Sequence, residues 1–432
     1  MNNISIKNPI RVFLAGFLIV LSGALNAELI AIKGATIYTQ NDQGILKNAT
    51  LIIEDGEITA MGKGARIPGS ATIIEADGKI VTPGLIDPYS YLGLEEISLE
   101  ANTVDKRTEN KKHGAGFDVT SAVNPYSTVI MTNRIEGITH AIAAPSNGHS
   151  VFAGQAAAIH LGSAKDAETV IKPRVAMFAS VTGWTATLAG GSRASAMLDI
   201  REALLDAQAY ADNQADYDKA AMRELSGSRL DMQALQAVLN ADIPLIVNVS
   251  RASEIRQALK LVKDFGVRLI LAGAQEAWML ADEIAAADAA VILDPLANLP
   301  SSFESLGSRL DNAALLHKAG VSILIGDGDS HNSRNQKQLA GNAVANGLPM
   351  TAALDAISKN VANAYGLDGL GELNVGDKAS LVLWDGDPLE VTTYADVVFI
   401  EGQNIAMQSR STLLRDRYLQ KSDLPRAFVK PQ

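Results

Sequence analysis

From Leu245 onward the chain alternates short apolar runs with stretches whose apolar residues recur at helical spacing. Leu245-Ile246-Val247-Asn248-Val249 reads as a buried strand, and Ile255, Leu259 and Val262 then share one helix face, with Ser253 placed to cap that helix and Gly266 to end it. The pattern continues through Arg268 to Leu271, an Ala-rich helical stretch from about Glu276 to Ala287, Ala290 to Leu293, a further helix, and Val321 to Ile325. Strands that are apolar on both faces and alternate with helices predict a parallel sheet. No Gly-rich nucleotide-binding turn follows any of these strands, so a closed barrel is favoured over an open doubly wound sheet.

The ends of the chain have a different period. Ile30 and Ile32 begin an alternating pattern, and Leu51-Ile52-Ile53-Glu54 is joined to Glu57-Ile58-Thr59-Ala60-Met61 by Asp55-Gly56, a two-residue hairpin signal. Short apolar runs return at Leu381 to Trp384 and Val397 to Ile400. The two ends are expected to pair. The predicted class is therefore α/β, a (β/α)₈ barrel at residues 81–367 with a small composite β-sandwich from residues 28–80 and 368–432. Glu95 to Tyr126 is polar and aperiodic, which reads as a loop inserted over the barrel mouth.

Composition narrows the partners. With 432 residues, 47% of them hydrophobic, the chain has ample core, and its net charge of −11 argues against nucleic acid or an anionic membrane surface. A small molecule is the expected ligand. Lys7 and Arg11, the apolar run Val12 to Leu21 and the small residues before Glu28 read as a secretory signal over residues 1–27, implying a periplasmic or secreted protein; a retained anchor helix is the alternative, though the run is short for a span. There is no cysteine, so disulfides play no part.

The run Val81-Thr82-Pro83-Gly84-Leu85-Ile86-Asp87-Pro88-Tyr89-Ser90-Tyr91 resembles the first barrel strand of the amidohydrolase superfamily, and Asp311 to Leu316 and Asp329-Ser330-His331-Asn332 follow in that family's order. Asp377-Lys378-Ala379-Ser380 resembles the family's tail in kind, with departures in detail. The resemblance implies hydrolysis of C–N bonds with one or two divalent metals such as zinc, held by a His-x-His pair on the first strand, a His on each of the fifth and sixth strands and an Asp after the eighth. Carried over, the four His positions hold Tyr89, Tyr91, Asn248 and Ala272, and Asp329 is the Asp that remains, with Asp327 as its alternative. Of the six histidines, His113, His140, His149, His160, His317 and His331, no two have the spacing of a metal pair on one element. No metal or other cofactor is expected.

Asp329 is the candidate catalytic residue, and His331 is a second candidate as acid or base, against a plain loop histidine bonded to backbone. His149 stands in the same position, while His317 reads as a helix-surface residue. Ser250, Asp294 and Asp327 are further pocket candidates at strand ends, and Arg193, Arg251 and Arg334 are candidate partners for a substrate carboxylate or ordinary surface charges. Without a metal, Asp329 is expected to be bonded by Tyr89, Tyr91 or Asn248, or left partly wet, with a raised pKa if dry. The functional expectation is a metal-free, catalytically impaired hydrolase relative with a small-molecule pocket at the barrel mouth. Two alternatives stay open: an active exported amidohydrolase or dipeptidase-like enzyme with an atypical or metal-independent site, and a pseudoenzyme partner of an active paralogue, with homo-oligomers also compatible.

Overall fold

A computed structural model describes residues 28–163, 169–297 and 299–419; the expected signal segment, 1–27, lies outside them. Five strands open the described chain: β1 (Leu29–Tyr38), β2 (Ile45–Glu54), β3 (Glu57–Gly62), β4 (Thr72–Glu75) and β5 (Ile80–Pro83). Eight more form the barrel: β6 (Leu85–Ser90), β7 (Ile138–Ala143), β8 (Phe152–His160), β9 (Val170–Ser180), β10 (Leu245–Val249), β11 (Leu269–Gly273), β12 (Ala290–Leu293) and β13 (Ile323–Ile325). The last three are β14 (Leu381–Trp384), β15 (Ala395–Ile400) and β16 (Gln403–Asn404).

Both chain ends build one mixed sheet in the order β16-β15-β14-β5-β1-β2-β3, with β4 beside β1. Ile32, Ile37, Leu51, Ile53, Val81, Leu381, Leu383 and Phe399 share its apolar core, so residues from both chain ends pack into one cluster. The Asp55-Gly56 turn has positive φ at both residues, 53° and 83°, the geometry whose twist matches a two-residue hairpin.

The boundary between the two units differs from the sequence expectation. Val81 to Pro83 lie in β5, which pairs antiparallel with β14 from Ile80↔Trp384 to Pro83↔Leu381, and the barrel begins at Leu85. Gly84 is the crossing point: its N–H donates to Ser380 O at 2.9 Å, while the next N–H, of Leu85, donates to Gly137 O at 3.0 Å. A Cβ at Gly84 would lie 2.1 Å from Thr139 Oγ1, so only bare backbone passes here.

The barrel sheet runs in order from β6 to β13. Its inner face carries Ile86, Ile142, Phe178, Ile246, Ile270, Ala272, Ile292 and Leu324, and the alternate residues, such as Leu245, Val247, Leu271 and Val291, pack outward against the helices. One strand breaks the parallel rule, since β8 runs antiparallel to both β7 and β9. Residues 144–151, which join β7 to β8, are too few for the crossover that parallel neighbours need. Further along, the helix Ala252–Phe265 ends at Gly266 with φ 70°, but Ser253 is not its cap. Glu254 accepts the N–H groups of Ser250 and Arg251 at 2.9 and 3.1 Å instead, a carboxylate reaching back over the positive end of the helix.

Closure falls to a side chain. β13 forms no ladder with β6, and between them Gln336 Nε2 donates to Ile86 O at 2.8 Å and Ile325 O at 2.9 Å. Gln336 opens the helix Gln336–Ala345 and is 1% exposed. Beyond it, Gly328 N–H donates to Tyr89 O at 3.1 Å and Tyr91 N–H to Asp329 O at 3.0 Å.

The segment after β6 folds back as a small lip. Asp105 N–H donates to Leu94 O at 2.8 Å, Glu96 N–H to Thr103 O at 3.1 Å, and Ser146 N–H to Lys106 O at 2.8 Å, which ties the lip to the end of β7.

Gln336→Leu strands two buried carbonyls at the seam, and stability should fall by about 2–4 kcal/mol in urea unfolding. A midpoint equal to that of the parent would mean that the barrel closes without this amide.

Candidate functional site

β6 carries Tyr89 at its end and Tyr91 just beyond it, β10 carries Asn248, and β11 carries Ala272. These four positions meet. Tyr89 Oη lies 3.3 Å from Tyr91 Oη, the two rings pack edge to face at 5.9 Å, Tyr89 bonds Asn248, and Asn248 is the register partner of Ala272. Phe178 from β9 backs Tyr89, with ring centroids 5.1 Å apart. Burial raises the pKa of Tyr89, and burial reinforced by Tyr89, Glu95 and Asp329 raises that of Tyr91 much further. Both phenols therefore stay neutral around pH 7.

Asp329 stands next to this group but is engaged by its own loop. Its Oδ1 accepts the N–H groups of Ser330 at 2.5 Å, His331 at 2.9 Å and Asn332 at 3.4 Å, and its Oδ2 accepts the Asn332 side-chain amide at 2.9 Å. Burial pushes its pKa up, but these hydrogen bonds, that of the Asn332 side chain foremost, hold it below the ordinary value. Of the expected partners, Tyr89, Tyr91 and Asn248 do not bond this carboxylate; it is half-buried, so the raised pKa expected of a dry site does not arise, and turning backbone supplies its donors instead. His331 is exposed and directs Nε2 at Glu96 O, 2.7 Å away, so it fastens the lip to the loop after β13. His149 similarly approaches Thr108 O at 3.3 Å, and His317 is exposed.

The remaining candidates divide. Asp327 and Asp294 stay at the mouth: burial, then the charges of Asp329 and Asp294, raises the pKa of Asp327 to about 6, and burial raises that of Asp294 against the N–H groups of Leu296 and Ala297. Ser250 is buried, its N–H bound by Glu254. Arg193 is paired with Glu254 and Glu304 at 2.7 Å each and Arg251 donates to Phe303 O at 3.2 Å, while Arg334 is exposed.

Three residues at the mouth escape a reading based on spacing. Asp87, 1% exposed, has a pKa raised to about 8, chiefly by burial, with Asp327 and Asp329 adding to it. Lys106 on the lip places its Nζ 3.6 Å from the Tyr91 ring centroid and 2.5 Å from Glu95 Oε2. Asp87 sits inside the run that carries the family resemblance, which signals a special position; Lys106 and Glu95 lie in an aperiodic polar stretch and carry no such signal.

The donor set does not fit a divalent metal. Neutral phenols, an amide and a methyl occupy the positions where the family implies imidazoles, and both oxygens of Asp329 are already engaged. Among the described residues no three histidine or carboxylate side chains are grouped to hold an ion.

Asp87 makes stability depend on pH. Its folded pKa near 8 exceeds the ordinary 3.8, so between those values the unfolded chain releases a proton that the folded chain keeps, and stability falls as pH rises. Asp87→Asn should flatten the decline of the urea midpoint between about pH 5 and pH 8, removing a slope of at most about 1.4 kcal/mol per pH unit. Parallel slopes for variant and parent would place the Asp87 proton elsewhere.

A sequence model of the amidohydrolase family matches residues 80–407. Curated relatives match over short segments: a 5'-deoxyadenosine deaminase from Methanosarcina acetivorans is 39% identical over 66 residues, 15% of each chain. An imidazolonepropionase from Geobacillus kaustophilus is 36% identical over 91 residues, 19% of this chain and 20% of that one. These matches thus span a fifth or less of the relatives' length. Among solved structures, an amidohydrolase from Thermotoga maritima superposes with a TM-score of 0.78 at 21% identity, covering 88% of this chain and all of that one. A Xaa-Pro dipeptidase with bound methionine superposes at 0.56 and 15% identity, covering 87% and 99%. These likenesses speak for the fold, and the match across most of the chain assigns the family: this protein belongs to the amidohydrolases.

Proposed function

We propose that this protein is an exported amidohydrolase relative that binds a small molecule at its barrel mouth without a metal and has lost, or changed, hydrolysis of C–N bonds. The observation that carries this reading is the Tyr89–Tyr91–Asn248 group, in which neutral hydroxyls and an amide satisfy one another where the family implies charged-metal chemistry. A buried ion needs ligands that can offset its lost hydration, and this group offers none ionised near pH 7. Export rests on the charged, apolar and small-residue sequence before Glu28. A second reading, metal-independent hydrolysis, is favoured by Asp327, whose pKa of about 6 suits a general acid or base near neutral pH.

Protein purified from its native compartment should have an intact mass that begins at Glu28 and should carry far less than one equivalent of zinc, iron or manganese after dialysis. Stoichiometric metal would overturn the metal-free reading, and a mass that includes Met1 to Ala27 would overturn cleavage and export. Turnover of a small amide by the metal-free preparation would move the assignment to the second reading.

Asp329→Asn should cost about 0.5–2 kcal/mol near pH 7, the range for losing a cap-like acceptor, and leave metal content unchanged. Because the pKa of Asp329 is lowered, its contribution is complete above the ordinary carboxylate pKa and fades as pH falls through the folded value, so variant and parent should converge in acid. Melts at neutral and acid pH, with and without chelator, read this directly; a chelator-sensitive loss of several kcal/mol would mark Asp329 as a metal ligand.

A further inference from the structure

We propose that the barrel mouth is a site for a primary alkylammonium group, and that Lys106 of the lip occupies it as an internal ligand. The inference rests on the metal-free, small-molecule reading above and names the ligand's chemical class. Its basis is the surroundings of Lys106 Nζ, which lies over the Tyr91 ring at 3.6 Å and against Glu95 Oε2 at 2.5 Å, with both side chains largely withdrawn from water, at 13% and 7% exposure. Ser330 Oγ reaches the other Glu95 oxygen at 3.5 Å, which links the pair to the loop after β13. An ammonium ion over an aromatic face, paired with a carboxylate in a partly desolvated pocket, is held by its charge and its N–H groups. A phenol that stays neutral keeps the electron-rich face such a cation needs, and Tyr91 is strongly biased to the neutral form.

The mouth around this pair favours cations. The charge of Asp329 reaches Tyr91 and Asp327, and Asp327 also feels that of Asp294, whereas Arg193 and Arg251 are engaged with Glu254, Glu304 and Phe303 O. Lys106 reaches the aromatic face from a flexible stem, while its backbone is fixed by Ser146 N–H. The side chain can therefore withdraw without unmaking the lip, and an incoming alkylammonium takes over its contacts with Tyr91 and Glu95. The ligand class follows: a small molecule that ends in –CH₂–NH₃⁺.

The test is chemical rescue in the mature full-length protein. Lys106→Ala removes the internal ammonium, and its melting temperature should lie below that of the parent. Propylammonium chloride should raise it along a saturable curve with half-effect in the millimolar range, as expected for so few heavy atoms, whereas equal sodium chloride or 1-propanol should not. The parent, already occupied, should respond much less, and Tyr91→Leu in the Lys106→Ala background should abolish the response. If Lys106→Ala fails to fold, Lys106→Ser, which keeps a polar lip, takes its place in the same titration. Equal shifts with propylammonium and sodium ions, or an undiminished response in the Tyr91→Leu background, would overturn the site. A metal-free parent whose variant lacks amine-specific rescue would remove this inference alone, and a metal-loaded parent would remove the reading beneath it.

Discussion

Closing the barrel between its first and last strands is the constraint on which everything at the mouth depends. A three-residue β13 cannot form a full ladder with β6, and the missing main-chain bonds are supplied by the Gln336 amide and by loop contacts at Tyr89 and Tyr91. Backbone carbonyls at such a depth require donors, and a helix that presents a glutamine on its first turn provides two from one side chain. The same contacts orient the candidate site. Tyr89 and Tyr91 sit where the seam bonds are made, so the position of their hydroxyls is tied to closure.

Among the described residues no side-chain cation is paired with Asp87, Asp327 or Asp329, and these acids reach three different settlements. Asp329 stays charged by recruiting backbone N–H groups, Asp87 is biased to the protonated form by burial, and Asp327 lies between the two with a pKa of about 6. Carboxylates that share a desolvated region cannot all ionise at low cost, and distributing the proton burden among them resolves the conflict. The ion pair of Lys106 and Glu95 adds a positive charge above the tyrosines without adding net charge.

Much of this architecture was legible in the sequence where a short-range rule applies. Asp55-Gly56 specifies its hairpin because few residue pairs tolerate two positive φ values, and β10 to β12 stand out because strands buried on both faces have nearly continuous apolar runs, with Asn248 the one polar side chain among them. The convergence of Tyr89, Tyr91, Asn248 and Ala272 was legible only through family resemblance, since their separation in the chain exceeds any local pattern. What stayed hidden depends on partners far away or on main chain. The antiparallel course of β8 follows from linker length, not from its Ala-rich composition; Asp329 is satisfied by N–H groups that every residue carries; and Lys106 acquires meaning only because the lip folds back over Tyr91.

The composite sheet has a consequence for how the molecule forms. β5 stands between β1 and β14, so the middle of that sheet cannot be completed until the last quarter of the chain returns to the first. Contacts of such long range are entropically costly to close and come late unless the intervening chain has already compacted. The barrel, whose parallel strands β9 to β13 join near neighbours in sequence, is the part able to shorten that loop first. Until it does, the edge of β5 that β14 later covers is an open strand template, which makes the newly made N-terminal strands the segment most in need of protection from pairing with another chain.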